Sequence, residues 1–127
     1  MKNIGFITTN KVFAQSVAET MKKRPELEYN FYLFLNPRQV IIDAEIMKTD
    51  IAIIDVVNEN SSESENFLYF CGELRKNIPG CQILLFVSQH DKLNCDKVVK
   101  AVKDKIADDF VFSDNSLEYL FAKLAAL

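Results

Sequence analysis

Several residue types that build ligand sites are scarce in this chain of 127 residues. It has three glycines, three cysteines, one histidine and no tryptophan. The cysteines are odd in number and show no C-x-x-C spacing; they are Cys71, Cys81 and Cys95. Because His90 is the one histidine that could join them, they make a poor set of zinc ligands. We interpret them as reduced thiols of a cytoplasmic protein, with Cys71 on the buried stripe of a helix.

Long apolar runs are also missing. No run approaches the roughly 20 residues that cross a bilayer, and the N-terminus lacks the apolar region and cleavage pattern of a signal peptide. We therefore predict no membrane contact. The formal net charge of −3 and the pI of about 5.2 argue against a dominant nucleic-acid surface. A lysine-rich helix with Lys97, Lys100, Lys103 and Lys105 is interpreted as a solvated face.

The chain has the composition of an ordinary globular protein, with 49% hydrophobic and 26% charged residues. A chain of this length can bury roughly two thirds of its unfolded surface, so its folding needs no disulfide or metal. No composition shift, internal repeat or low-complexity tract divides it. We predict a single domain over residues 1–127.

Five strand-like apolar runs alternate with five helix-like segments. The second run is only partly apolar, which favours an edge strand, whereas the third and fourth are continuously apolar and favour central strands. Short loops between the segments demand parallel strands with right-handed crossovers. The pattern predicts a flavodoxin-like α/β fold: a doubly wound sheet of order 2-1-3-4-5 with helices on both faces. The predicted strands are 3–8, 29–35, 50–55, 82–88 and 109–112.

Caps and helical periodicity define the helices. Asn10 and Asn36, the second followed by proline, are the expected N-caps of helices one and two. Ser62 and Glu65 form a capping-box pattern before helix three, and helix four is expected over 94–105. The residues of helix four expected to face inward are Val98, Val99, Val102 and Ile106.

Polar residues stand where the predicted strands end. Asp55 closes the third strand and Ser88 the fourth, and the carboxyl ends of parallel strands are where ligands bind in open α/β sheets. A carboxylate there indicates a phosphoryl acceptor or a metal ligand. The structural alternatives are that Asp55 caps the next turn, that Ser88 bonds the loop backbone, and that Phe110 in the fifth strand is a core residue.

Together these segments resemble the receiver domains of two-component response regulators, over essentially the whole chain. The resemblance is carried by Asp55, by VSQHD at 87–91, by ADDFVFS at 107–113 and by SLEYL at 116–120. It implies that Asp55 is the phosphoacceptor for a histidine kinase. It also implies that Ser88 is the hydroxyl that bonds the phosphoryl group, and that Phe110 is the aromatic switch residue.

The chain departs from that family at the positions that carry charge. The acidic pair that holds Mg²⁺ falls on Thr8 and Thr9, the lysine after the fifth strand on Ser113, and the following proline on Asp114. Mg²⁺ is usually bound through one or two carboxylates, and phosphoryl transfer needs cations that neutralise the moving group. We therefore expect at most weak Mg²⁺ binding through Asp55, no other cofactor, and a degenerate pseudo-receiver.

We favour a signalling module of phosphorelay (two-component) signal transduction that is not an enzyme and acts by protein contact. The contact surface would be the fourth helix, fifth strand and fifth helix. Its partner would be a histidine kinase, another signalling protein or a second copy, with no nucleic acid and no membrane. Lys97 and Lys100, together with Asp108, Asp109 and Glu118, suit reciprocal ion pairs across a two-fold axis.

Two other functions remain open from the sequence. One is a working Mg²⁺-dependent phosphoacceptor that phosphorylates itself at Asp55 with substitute ligands, such as Glu59 from the following loop. The other is a flavodoxin-like binder of FMN or a nucleotide. It is the least favoured, because the strand-end loops lack glycine and the chain lacks tryptophan.

Overall fold

The computed structural model describes residues 2–57 and 67–127. Strands and helices alternate through these ranges, with one short 3₁₀ turn at Pro25–Leu27. In chain order the elements are β1 (Lys2–Ile7), α1 (Lys11–Lys22), β2 (Tyr29–Phe34), α2 (Val40–Ile46), β3 (Ile51–Val56), α3 (Phe67–Asn77), β4 (Gln82–Val87), α4 (Lys92–Lys103), β5 (Asp109–Phe112) and α5 (Leu117–Ala126). None of the helices in the described ranges is long and apolar enough to cross a membrane.

The five strands form one parallel sheet in the order β2-β1-β3-β4-β5. This is the predicted topology, with β2 at an edge and β3 and β4 inside. The register places Ile7 beside Ile54 and Val87 beside Phe112. The carboxyl ends of β1, β3, β4 and β5 therefore meet at one edge of the sheet, where the candidate residues follow or end the strands.

The sheet divides the core into two layers, because successive strand residues point to opposite faces. Ile54 and Leu85 face α2, α3 and α4, while Ile53 and Leu84 face α1 and α5. Phe6 lies in the second layer and makes edge-on contacts with three other aromatic rings. Helices cover both faces, as predicted.

Helix α2 begins later than the sequence suggests. Asn36 was the expected N-cap, but the helix starts at Val40 and Asn36 closes a turn instead. Its Oδ1 atom accepts from the Arg38 N–H at 3.1 Å, and its carbonyl accepts from the Gln39 N–H at 3.0 Å. The side-chain bond two residues ahead is the Asx-turn geometry that competes with helix capping.

Helix α4 begins earlier than predicted, and only part of its predicted inner face is buried. Asp91 is the N-cap of α4, and the buried residues of the helix are Asn94, Val98 and Ala101. Of the four residues expected inside, Val98 is buried and Val102 packs against the core. Val99 is 50% exposed, and Ile106, which follows the helix, is 37% exposed. The predicted capping box of Ser62 and Glu65, like Glu59, lies outside the described residues.

Candidate functional site

Thr8 and Asp55 meet at the carboxyl edge of the sheet because β1 and β3 are neighbours. The Thr8 hydroxyl donates to Asp55 Oδ2 at 2.7 Å and accepts from the Asn10 N–H at 3.0 Å. Thr8 is buried, with 4% of its surface exposed, whereas Asp55 is half-buried. Thr8 therefore supplies the aspartate with a hydrogen-bond donor at the position where the resemblance expects a carboxylate.

The second threonine lies differently. Thr9 is exposed, as is Asn10. The Asn10 side chain caps α1 by accepting from the Phe13 N–H at 3.1 Å, as its place before the helix predicts. Neither residue brings a negative charge to the edge of the sheet.

Ser88 is bonded to a residue that the sequence analysis did not assign to the site. Its hydroxyl donates to Asp114 Oδ2 at 3.1 Å, and the same oxygen accepts from the Gln89 N–H at 2.7 Å. Ser88 Oγ also accepts from the His90 N–H at 3.2 Å. Asp114 thus organises the turn after β4, and its only signal in the sequence was a carboxylate where the resemblance expects proline.

The main chain brings Asp114 to this position. The Ser113 N–H donates to the Val87 carbonyl at 2.8 Å, which extends the pairing of β5 with β4 by one residue. Ser113, at the lysine position, supplies no positive charge. Because β4 lies between β3 and β5, Asp114 holds the Ser88 hydroxyl on the side of β4 that is opposite the Asp55 strand.

The donor set at this edge fits Mg²⁺ poorly. Of Thr8 and Asp55, only Asp55 carries a carboxylate. The Thr8 hydroxyl donates its proton to that carboxylate instead of offering a lone pair to a metal. Magnesium demands octahedral oxygen ligands and usually one or two carboxylates. In residues 2–57 and 67–127, no three histidine, cysteine, aspartate or glutamate side chains are grouped to hold a metal.

Phe110 is half-buried on β5 and packs against the core layer under α2, α3 and α4. Its ring meets that of Phe112 edge-on, with 5.5 Å between centroids. The position is compatible with the core role that the sequence left open.

The cysteines are free thiols. Burial raises the pKa of Cys71 to about 12 and that of Cys81 to about 11. Cys95 is half-buried, its pKa is raised in the same direction by loss of solvent, and its thiol donates to the Ser88 carbonyl at 3.2 Å. Raised pKa values keep thiols protonated at neutral pH.

The carboxylates expected on the α4-β5-α5 surface already have partners within their own chain. The pairs are Arg75–Asp108, Lys123–Asp109 and Arg24–Glu118. Asp108 also accepts from the Ile83 N–H at 2.7 Å. Lys97 and Lys100 form no ion pair with any residue in the described ranges. A two-fold contact with reciprocal ion pairs would share these carboxylates with their internal partners.

No protein-family model matches this sequence, and no curated protein matches it significantly. Solved structures do match. The N-terminal domain of the nisin resistance regulator NsrR, a lantibiotic response regulator, shares 23% identity with a TM-score of 0.75, over 99% of this chain and 97% of that chain. A two-component response regulator from Clostridium difficile shares 17% identity with a TM-score of 0.78, over 99% and 94%.

A response regulator from Burkholderia pseudomallei, solved with a phosphorylated aspartic acid, shares 23% identity with a TM-score of 0.71, over 99% of this chain and 72% of that chain. These structures cover nearly the whole of this chain, and at such identities the likeness concerns architecture. The chain has the fold of response-regulator receiver domains.

Proposed function

We propose that this chain is a cytoplasmic pseudo-receiver in two-component signalling, which works by binding other proteins and is not an enzyme. The observation that carries the proposal is the hydrogen bonding at the carboxyl edge of the sheet. Thr8 is bonded to Asp55 and Ser88 to Asp114, where a phosphoacceptor site would need carboxylates for a metal, a free hydroxyl and a cation.

Charge is the first argument. An incoming phosphoryl group is anionic, and its transfer is accelerated when metal ions and cationic side chains neutralise the developing charge. Here Ser113 stands at the lysine position, and Asp114 adds a second carboxylate to the same edge. The edge therefore repels the group that a phosphoacceptor has to receive.

Hydrogen bonding is the second argument. A hydroxyl has one proton to donate, and Ser88 donates it to Asp114 at 3.1 Å. To bond a phosphoryl oxygen on Asp55, Ser88 would have to give up that bond and rotate. Asp114 would then keep the hydrogen bond that it accepts from the Gln89 N–H.

The surface through which the module acts follows from the unpaired charges. We assign it to α4, β5 and α5, where Lys97 and Lys100 are exposed. The carboxylates of Asp108, Asp109 and Glu118 pair internally. A histidine kinase or another signalling protein would bind there through an acidic surface. Lys100→Glu should then weaken the complex, while Lys22→Glu, on α1, should leave it unchanged.

Phosphorylation can be tested directly. The protein is incubated with acetyl phosphate and Mg²⁺, and its intact mass is measured; we expect no phosphoryl adduct. A variant with Thr8→Asp, Thr9→Asp and Ser113→Lys serves as the matched gain-of-function control, because it restores the missing charges at the same edge. We expect that variant to be modified, and the modification to disappear when Asp55→Asn is added.

An adduct on the unaltered protein that is lost in Asp55→Asn would contradict the proposal. It would instead establish the second candidate, a phosphoacceptor with substitute ligands. The half-exposure of Asp55 supports this second candidate, since a phosphoryl donor could reach the carboxylate.

A further inference from the structure

The outer face of α4 combines exposed apolar side chains with lysines. We define it as Lys92, Leu93, Lys97, Val99, Lys100 and Lys103. Leu93 is 62% exposed and Val99 50%, although the opposite side of the helix is fully packed on the sheet. Lys92 and Lys103 fall seven residues before and four after Val99, so they flank it along the helix.

The charge of this face is not balanced within the molecule. Helix α4 carries four lysines and one aspartate, Asp96. None of the four lysines forms an ion pair with a residue in the described ranges. The face is therefore basic, with Val99 at one side of it and Leu93 about 120° around the helix from Val99.

The outer face of α2 has the opposite character. We define it as Ile42, Asp43, Glu45 and Ile46. Ile42 is 60% exposed and Ile46 69%, and they lie four residues apart on one side of the helix. Asp43 and Glu45 lie beside them, and the helix contains no lysine or arginine. This face is acidic, with two large apolar side chains in its middle.

The two faces cannot meet within one molecule. Both helices pack on the same side of the sheet, but α2 contacts β2 and α4 contacts β4 and β5, with α3 between them. Packed helices lie about 8–10 Å apart, so two such steps separate α2 from α4 by about 16–20 Å. Complementary faces that are held apart in one chain are available to another copy.

We propose that the outer face of α4 in one copy binds the outer face of α2 in the next. The isoleucines would cover Val99, and Asp43 and Glu45 would approach the lysines beside it. The two surfaces differ, so the contact is heterologous: each bound pair leaves one free α2 face and one free α4 face, and association continues beyond the dimer. This goes beyond the proposed function by naming a second copy of the chain as the partner of α4.

The contact should be weak and salt-sensitive. Two single helix faces bury less than the roughly 1,200 Å² of a stable interface. Exposed ion pairs are screened by salt over about 10 Å at 0.1 M ionic strength. We expect the weight-average mass in sedimentation to rise with protein concentration, and to fall again when salt is added.

Two variants separate this contact from others. Val99→Asp should prevent binding through the outer face of α4, and Ile46→Asp should prevent binding through the outer face of α2. Both positions are exposed, so the fold should survive. Each variant alone should remain monomeric. An equimolar mixture should form a complex that stops at two chains, because one intact face of each kind remains. Val12→Asp, at a position on α1 that is 80% exposed, is the matched control and should associate like the unaltered chain.

Three results would overturn the proposal. One is a protein that stays monomeric at all concentrations. Another is loss of association in Val99→Asp together with full association in Ile46→Asp, which would indicate that α4 pairs with α4. The third is a mixture of the two variants that forms no complex. None of these measurements involves phosphorylation, so the outcome is independent of the acetyl phosphate experiment.

Discussion

Gly5 lies under the ring of Phe34, where β1 and β2 are neighbours. A Cβ atom at this position would stand 2.9 Å from Phe34 Cδ2 and closer still to Cε2. We expect Gly5→Ala to lower the free energy of unfolding by about 1–3 kcal/mol, because the buried Phe34 ring has to move. Urea unfolding followed by circular dichroism measures this change.

Gly72 provides the matched control. It is exposed in α3, and an added Cβ would meet nothing within 4 Å. Gly72→Ala should raise the free energy of unfolding by up to about 1 kcal/mol, since alanine favours the helix. Equal effects of the two substitutions would show that Phe34 does not restrict position 5.

Ser88 and Asp114 form the second residue-scale feature. Asp114→Ala removes the acceptor for both the Ser88 hydroxyl and the Gln89 N–H. We expect a loss of about 0.5–1.5 kcal/mol. In a double-mutant cycle with Ser88→Ala, the two substitutions should couple by about 0.5 kcal/mol or more. Strict additivity in urea unfolding would mean that the bond does not contribute to stability.

At the scale of elements, α4 depends on its cap. Asp91 accepts from the Asn94 N–H at 3.2 Å and from the Asn94 side-chain amide at 2.7 Å, and Asn94 is buried. Asp91→Ala should cost about 1–2 kcal/mol, because it removes the cap and leaves a buried amide without its partner. Ser116→Ala is the control: Ser116 precedes α5 but makes no side-chain capping bond, so a change within about 0.5 kcal/mol is expected. Urea unfolding of both variants tests the difference.

The elements also show how far the sequence alone could lead. The continuous apolar runs of β3 and β4 identified them as central strands, because burial on both faces leaves a strong pattern. The edge strand β5 was also predicted at its observed bounds. The starts of α2 and α4 and the inward positions of Val99 and Ile106 were wrong. At α2 the Asn36 side chain closes a turn, and such bonds compete with helix caps that have the same residue types. At α4 the N-cap is Asp91, which precedes the expected start of the helix.

The candidate site was predictable only in outline. Strand topology brought Thr8, Asp55 and Ser88 to one edge, since parallel strands end together. The Ser88–Asp114 bond was missed because Asp114 follows the last strand by two residues and reaches Ser88 only through the added pairing of Ser113 with Val87. A contact that depends on one extra residue of strand pairing leaves no periodic signal.

At the scale of the whole molecule, the buried thiols link stability to pH. The pKa values of Cys71 and Cys81 are raised to about 12 and about 11, whereas an unfolded thiol titrates near about 8.5. The folded state therefore binds these protons more tightly than the unfolded state does. The stabilisation that results is fully present below the unfolded pKa. It is lost as pH rises, by about 1.4 kcal/mol per pH unit for each thiol.

Urea unfolding between neutral pH and pH values near the folded pKa tests this link. The stability of the unaltered protein should fall through the alkaline range. Cys71→Ala, which removes one of the two thiols, should show a shallower dependence on pH even though it is less stable at neutral pH. Parallel curves for the two proteins would mean that Cys71 does not contribute.

The turn after β4 has a consequence for dynamics. Gln89 and His90 are exposed, and amide hydrogens in such turns usually exchange quickly with solvent. Here both are held by side-chain oxygens, from Asp114 and Ser88. Their deuterium uptake should therefore be slow for a surface turn, and it should become fast at Gln89 when Asp114 is replaced by alanine. A turn that is open to solvent would then be kinetically closed to exchange.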